Sequence, residues 1–387
     1  MRCNQSRRTF LKAISTTSIG AGLAGCTSGG PGNGSSGSSG GNSTNDVQFD
    51  LDAIEPDSLV GKGPNGADPE PMETMSLSDE QVAKVKDGNF NVEVVFHYKG
   101  DTWVTLQREA IKKRTKELGM NITGIHYPDF DPETQSNVLQ TVAQKDNVDG
   151  VFSIPVDTAA TVDAYREVSE AGKKLVFMDN IPDGFKHPSD YAGLVAADNR
   201  AMGTISGRMM ETLVDSGKII VIKFDVPFYV VDEREKGFTN VLKSNDNYEL
   251  KEYGFTDSGK VLSLAQNALT ANPDAAGLWA PWVSPPGAQA IQALNEQNMD
   301  IPVTSCDLGT RSAVLLAEDT PLKGVGSQQP FQQGITEVNM MAHALIGNET
   351  SPYVGVPSPA VAEQNLLEMY PKILRKEPPE EVTKHFE

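Results

Sequence analysis

Val92-Glu93-Val94-Val95-Phe96, the stretch Trp103 to Leu118, and Asn121 to Tyr127 decide the fold of this chain. The first, apolar but for one acid, reads as a buried strand. In the second, Leu106, Ala110, Ile111 and Leu118 fall near helical spacing, and Gly119 stops the helix because glycine takes a left-handed turn without steric cost. The third is a strand again. Asp131-Pro132 then supplies an N-cap and a proline at the first helical position, opening a helix to Lys145. Val151 to Ile154 is a strand, Ala159 to Ala171 a helix ended by Gly172, and Leu175 to Met178 a strand. Strands alternating with helices predict a parallel sheet covered on both faces.

A second series of the same kind follows. Strands are expected at 194–196, 219–223, 250–255, 277–279, 303–306 and 324–327, with helices between them and a last long helix from Phe331 to Ile346. The expected fold class is therefore α/β, with two doubly wound parallel-sheet lobes. Such sheets bind ligands beyond the carboxyl ends of their strands. Those ends carry Asp179-Asn180, Asp198-Asn199, the stretch Asp225 to Arg234, Trp282, Asp307 and Gln328, with Asp101 and Trp103 after the first strand. Carboxylates and a guanidinium bind neighbouring hydroxyls bidentately, and indoles cover the apolar face of a sugar ring. Each of these residues also has a structural reading. Asp179 or Asp307 caps a following helix as readily as it binds a ligand, and Trp279 reads equally well as core.

Outside this body the chain changes character. Ser6-Arg7-Arg8-Thr9-Phe10-Leu11-Lys12 resembles a twin-arginine export signal, followed by an apolar run too short to span a bilayer. Leu23-Ala24-Gly25-Cys26 resembles a lipoprotein cleavage box, which implies lipidation of Cys26 after loss of residues 1–25. Thr27 to Asn45 contains only Thr, Ser, Gly, Pro and Asn and reads as a tether, residues 26–45, of roughly 22–26 Å reach. Residues 46–90 form a Pro- and acid-rich preface with one short helix near Ser78 to Lys86. Residues 371–387 form a charged tail.

The 387 residues include 33 Lys and Arg against 52 Asp and Glu, a net charge of −19. An average surface of that sign repels phosphate backbones, so no nucleic-acid partner is expected. Loss of residues 1–25 removes four basic residues and no acid, leaving −23. So acidic an exported surface points to a salt-adapted, haloarchaeal source. Three cysteines form neither a disulfide framework nor a CxxC pair. The five histidines show no HExxH spacing, and no GxSxG elbow occurs, so an enzyme, a metal site and a cofactor are not expected. Gly61 to Gly66 matches GxGxxG but runs into Asp68-Pro69-Glu70-Pro71 instead of a helix, which removes the dinucleotide reading.

From Asn91 to Asn365 the order of motifs resembles the type I periplasmic binding proteins of sugar ABC transporters, the ribose-binding group. The resemblance rests on Phe152-Ser153-Ile154-Pro155-Val156-Asp157, Leu175-Val176-Phe177-Met178-Asp179-Asn180 and Ala197-Asp198-Asn199. It rests also on Arg234 before Gly237-Phe238, on Asn267 to Asp274, and on Gln328-Gln329-Pro330. It implies ligand-binding roles for Asp179, Arg234, Asp307 and Gln328, and a stacking role for Trp103. Gly100, Asn180 and Trp282 depart from ribose binders, which have asparagine, arginine and asparagine there, so the implied ligand is a related sugar or polyol. Asp101 replaces part of the lost polarity. The resemblance further implies a three-crossover hinge near Ala197-Asp198, Gln328-Gln329 and Gly355-Val356. The lobes would then be 91–197 with 329–355, and 198–328 with 356–370. It implies a monomer that closes on its ligand, meets a membrane permease and touches the membrane only through lipid on Cys26. A surface receptor serving a sensor shares these features. A DNA-binding regulator of the same fold does not, because an export signal stands where its helix-turn-helix would be.

Overall fold

A computed structural model describes residues 47–100, 102–226, 228–318 and 320–387. The signal, Cys26, the tether and Asp101 lie outside the described residues. Strands are β1 Glu70–Pro71, β2 Asn91–Val95, β3 Asn121–His126, β4 Gly150–Ser153, β5 Lys174–Met178, β6 Gly193–Ala197 and β7 Gly217–Phe224. They continue as β8 Tyr248–Phe255, β9 Ala275–Trp279, β10 Val303–Cys306, β11 Leu322–Gly326, β12 Tyr353–Val356 and β13 Ala360–Ala362. The longer helices are α1 Asp79–Gly88, α2 Thr102–Glu117, α3 Pro132–Ala143, α4 Val162–Glu170, α5 Asn199–Leu213 and α6 Tyr229–Lys243. After these come α7 Val261–Ala271, α8 Ala288–Gln297, α9 Thr310–Ala317, α10 Pro330–Leu345 and α11 Leu366–Leu374.

The strands form two sheets, ordered β1-β12-β6-β5-β4-β2-β3 and β13-β11-β10-β9-β7-β8. Within each, the five strands of the βα repeat follow the same doubly wound order, with the first strand between the second and third. All neighbours are parallel except β13, which runs antiparallel to β11. The chain passes between lobes at Asp198 after β6, at Gln328-Gln329 before α10, and between β12 and β13. Near-continuous apolar strands such as Leu175-Val176-Phe177-Met178 are buried on both faces, as parallel strands covered by helices must be.

Local chemistry sets the element ends. Asp131 accepts from the N–H groups of Glu133 and Thr134, both at 3.0 Å, and Ser78 with Gln81 forms a reciprocal capping box for α1. Several expected starts move by two to four residues, those of α6 and β8 among them. Helix α6 begins at Tyr229 instead of Glu233, since Phe228 at its N-cap makes no side-chain cap. Strand β8 begins at Tyr248 instead of Leu250, because its alternating exposed and half-buried residues lie on a sheet edge. Helices α5 and α6 cross with their backbones close together: a side chain on Gly203 would run into the carbonyl of Arg234, and one on Gly237 into that of Arg200. That contact seats the helix bearing Arg234.

The preface is part of the body. Phe49 exchanges two hydrogen bonds with the Gln364 side chain, at 2.8 and 2.9 Å, and packs with Ile54 against Ile205, Met209, Ala360 and Ala362 of the second lobe. Farther along, Asn65 donates to the Phe185 carbonyl at 3.0 Å, and β1 pairs with β12 of the first lobe. Between these anchors Val60 and Gly61 donate their N–H groups to the Asp198 carboxylate at 2.6 and 3.0 Å. Residues 47–71 therefore strap both lobes across one crossover; of the glycines in the GxGxxG match, Gly61 packs closely against Asp198 and Gly63 against Tyr353, while Gly66 takes a left-handed turn. At the other end, α11 runs through Pro371, and Tyr370, Ile373, Leu374 and Val382 join the second-lobe core.

Candidate ligand-binding cleft

Asp179 follows β5 in the first lobe and Asp307 follows β10 in the second, and each breaks its strand with a left-handed backbone, φ 55° and 76°. Short polar side chains tolerate that conformation better than most. Each carboxylate thus sits at a carboxyl strand end, where the topology places the crevice. Arg234, in the second turn of α6, is only 5% exposed. Its Nε donates to Asn199 Oδ1 at 2.9 Å, and its Nη1 donates to Asp307 Oδ2 at 2.7 Å and to the Pro281 carbonyl at 3.4 Å. Asp307 Oδ1 accepts from Gln328 Nε2 at 2.8 Å. One carboxylate is thereby held by an α6 arginine and a crossover glutamine, so Arg234, Asp307 and Gln328 form one bonded set.

Asp179 approaches this set from the other lobe and feels the charges of both Arg234 and Asp307. Burial pushes its carboxyl up to about 7, with Arg234 opposing and Asp307 adding to the rise, although one face stays open to the crevice. Gln333 Nε2 donates to Asp179 Oδ1 at 3.4 Å, a long bond. An acid whose folded pKa is raised loses stability as pH climbs from the unfolded value, near 3.8, to about 7. We therefore expect the stability of the wild type relative to Asp179→Asn to fall by about 2 kcal/mol between pH 4 and pH 8, discounted for the open face. Urea unfolding of the two ligand-free proteins across that range measures it; parallel profiles would contradict the burial.

Trp103, in the first turn of α2, stands edge-on to His97, with ring centres 5.6 Å apart, and its Nε1 is buried without a partner. Tyr98 and Phe130 complete that group around His97 at 4.7 and 5.0 Å. Burial pushes His97 down to about 3, so the ring is neutral. Trp282 meets Phe224 and Phe255 edge-on in the second lobe. Asn180 is buried beside Asp179. Neither indole bonds to the carboxylates; the two rings stand on opposite lobes at the same strand ends. Trp279 is core: it is fully buried, stacks on Phe238 at 4.8 Å and donates to Ser206 Oγ at 2.9 Å.

Three residues that the strand-end reading passed over lie beside Asp179. Gln107, Gln333 and Glu337 are fully buried on the facing helices α2 and α10. Their only sequence signal is that Gln333 and Glu337 stand four apart, which reads as a solvated helix face. Burial, seconded by the Asp179 charge, holds Glu337 well above the ordinary carboxylate range. Cys306 is buried, and its thiol is pushed up to about 12, too high for a nucleophile. No group of three or more His, Cys, Asp or Glu is placed to hold a metal among the described residues, nor is any helix there long and apolar enough to cross a membrane. A hollow beside Lys173, His187 and Asn348 opens at the amino ends of β5 and β6, away from this set.

A family model described as a periplasmic binding protein domain matches residues 92–349. The ribose import binding protein of Bacillus subtilis is 24% identical over 251 residues, 65% of this chain and 80% of that protein. Among solved structures, an ABC transporter solute-binding protein from Agrobacterium vitis bound with α-D-tagatopyranose superposes with a TM-score of 0.65 at 21% identity, covering 75% of this chain and 100% of that one. One from Bacillus halodurans with bound myo-inositol gives a TM-score of 0.64 at 20% identity, covering 74% and 98%.

Proposed function

The chain belongs to the periplasmic binding protein family, and from that premise we propose that it captures a sugar or related polar ligand between its lobes and delivers it to an ABC permease. Proteins of this family bind solutes and do not transform them. The observation that carries the reading is the Arg234–Asp307 pair on one lobe facing Asp179 on the other, the two aspartates at carboxyl strand ends and the arginine on the helix after β7. Hydroxyls that bond to both lobes lower the energy of the closed state alone, and a ligand shifts a hinge only by such a difference. The ligand set we assign is Asp179, Asn180, Arg234, Asp307 and Gln328, with Trp103 and Trp282 as stacking walls and, from the sequence, Asp101 as a further polar contact. The closing bodies are 91–197 with 329–355, and 198–328 with 356–370.

A thermal-shift screen of sugars and polyols identifies the ligand, and small-angle scattering with and without it should show one-to-one binding with a smaller radius of gyration. An unchanged radius at saturation would refute closure. The finer reading is a monomer exported by the twin-arginine route and tethered by lipid on Cys26, which mass spectrometry of the mature N-terminus tests. At −23 the mature chain should unfold in dilute buffer and refold in molar salt, followed by circular dichroism; a fully folded chain in dilute buffer would remove the haloarchaeal assignment.

A further inference from the structure

Four stretches of chain pass between the lobes, and hydrogen bonds join them to one another. The crossovers after β6 and after β12 meet where the Asp198 N–H donates to the Val356 carbonyl at 2.9 Å and Ser358 Oγ donates to the Asp198 carbonyl at 3.1 Å. The crossover before α10 joins them through Gln329 Nε2, which donates to the Pro357 carbonyl at 2.8 Å. The strap is the fourth stretch, held on the Asp198 carboxylate by the N–H groups of Val60 and Gly61.

The strap grips each lobe separately. On the second lobe, besides the Phe49 contacts, Arg208 Nη1 of α5 donates to the Ile54 carbonyl at 3.0 Å, and Glu55 Oε1 accepts from the Ala360 N–H at 2.7 Å. On the first lobe Leu59 lies so close to β12 that a Cβ on Gly355 would stand 2.9 Å from Leu59 Cδ1. The contacts of Gly63 with Tyr353, Asn65 with Phe185 and β1 with β12 follow. Between the two sets of contacts lie Pro56, Asp57 and Ser58 alone, and the four residue steps from Glu55 to Leu59 reach at most roughly 14 Å. Pro56 stiffens that span because its ring fixes φ. Asp57 and Ser58 are exposed, so the span acts through its length and not through packing of its own.

All these contacts are made together in the conformation in which Asp179 meets the charges of Arg234 and Asp307 across the crevice. Rotating the lobes apart moves the Glu55 and Leu59 anchors relative to each other, and so short a span passes the motion on to the bonds at either end. A segment satisfied at one lobe angle favours that angle.

Resting on the reading of the chain as a hinged binding protein, we propose that residues 47–71 are a fourth hinge segment, which holds the ligand-free lobes close together and thereby tightens ligand binding from outside the cleft. The apparent dissociation constant is the intrinsic one divided by the fraction of molecules already competent to bind, so a strap that raises this fraction strengthens binding without touching the ligand.

Small-angle scattering of the mature, ligand-free chain tests this with a variant carrying Gly-Ser-Gly-Ser between Asp57 and Ser58, which keeps every anchor and lengthens only the span between them. The control is the same insertion after Gly66, in an exposed turn with first-lobe contacts on both sides. The first insertion should enlarge the radius of gyration, and the control should leave it unchanged. Calorimetric titration with D-ribose, D-glucose and D-galactose should show, for any that binds, affinity at least about threefold weaker in the first insertion and within about 1.5-fold of wild type in the control. An unchanged or smaller radius in the first insertion, or equal enlargement by both, would overturn the strap's role and leave the binding reading standing. An enlarged radius with unchanged affinity would overturn the link from strap to affinity. If none of the three sugars binds the wild type, that failure counts against the sugar reading, and the scattering comparison alone decides the strap. Where the first insertion does not fold, Glu55→Ala, which drops only the Ala360 bond, should enlarge the radius in its place, and an unchanged radius there would overturn the proposal.

Discussion

Replacing Arg234 by alanine is expected to abolish ligand binding, with a loss of at least about 100-fold and an accompanying loss of stability. The guanidinium is buried and makes three hydrogen bonds, to Asn199, Asp307 and the Pro281 carbonyl. Its removal leaves Asp307 with Gln328 alone and strips Asp179 of the one cation acting on it. Truncating one member of a buried, hydrogen-bonded charge pair costs about 3–5 kcal/mol, most of it from the charge left behind. Asp307 keeps some exposure, so the stability loss should fall near the lower figure while binding carries the rest. Lysine at 234 restores the charge but not the fork, and should recover only part of the affinity. Titration calorimetry on the ligand found by screening reads both variants. Affinity within threefold of wild type in Arg234→Ala would remove the cleft from this site.

Asp198→Ala should be the most destabilising single change in the hinge, at about 4 kcal/mol. One carboxylate accepts from three backbone N–H groups: Val60 at 2.6 Å and Gly61 at 3.0 Å in the strap, and Ala201 at 2.9 Å in the first turn of α5. The last is an N-cap worth about 1 kcal/mol, and each of the others is a charge-assisted bond worth about 1.5–3 kcal/mol. Alanine leaves three donors unpaired, and the strap loses its hold on the crossover. Deleting residues 47–63 should lower stability by a similar mechanism, exposing the Ile205 and Met209 surface that Phe49 and Ile54 cover. Urea unfolding measures both. If Asp198→Ala costs under about 1 kcal/mol, the strap is a loose appendage and the hinge owes it nothing.

Much of the cleft was legible because the doubly wound topology puts its chemistry at carboxyl strand ends, and those ends can be found from apolar runs alone. Asp179, Arg234, Asp307 and Gln328 all follow from that rule, and three of them prove to be joined by hydrogen bonds. Trp279 shows the rule's limit, for it is the last residue of β9 and is core. The same alternation that reveals strands hides Gln333 and Glu337. Polar residues four apart on a helix satisfy the pattern of a solvated face, and only the approach of α2 through Gly334 turns that face inward.

The sequence by itself determined the two α/β lobes, their parallel sheets and the position of the crevice, since these depend on apolar periodicity and on caps within a few residues. It determined equally the change of character at the N-terminus, which is a matter of composition. Tertiary structure alone decided that the preface is a strap across the hinge, that Asp198 is its anchor, and that Glu337 lies beneath the cleft. Each depends on groups far apart in the chain, such as Phe49 with Gln364 or Val60 with Asp198, whose meeting leaves no local period. A burial or a charge balance is a property of the assembled fold, and no spacing along the chain records it.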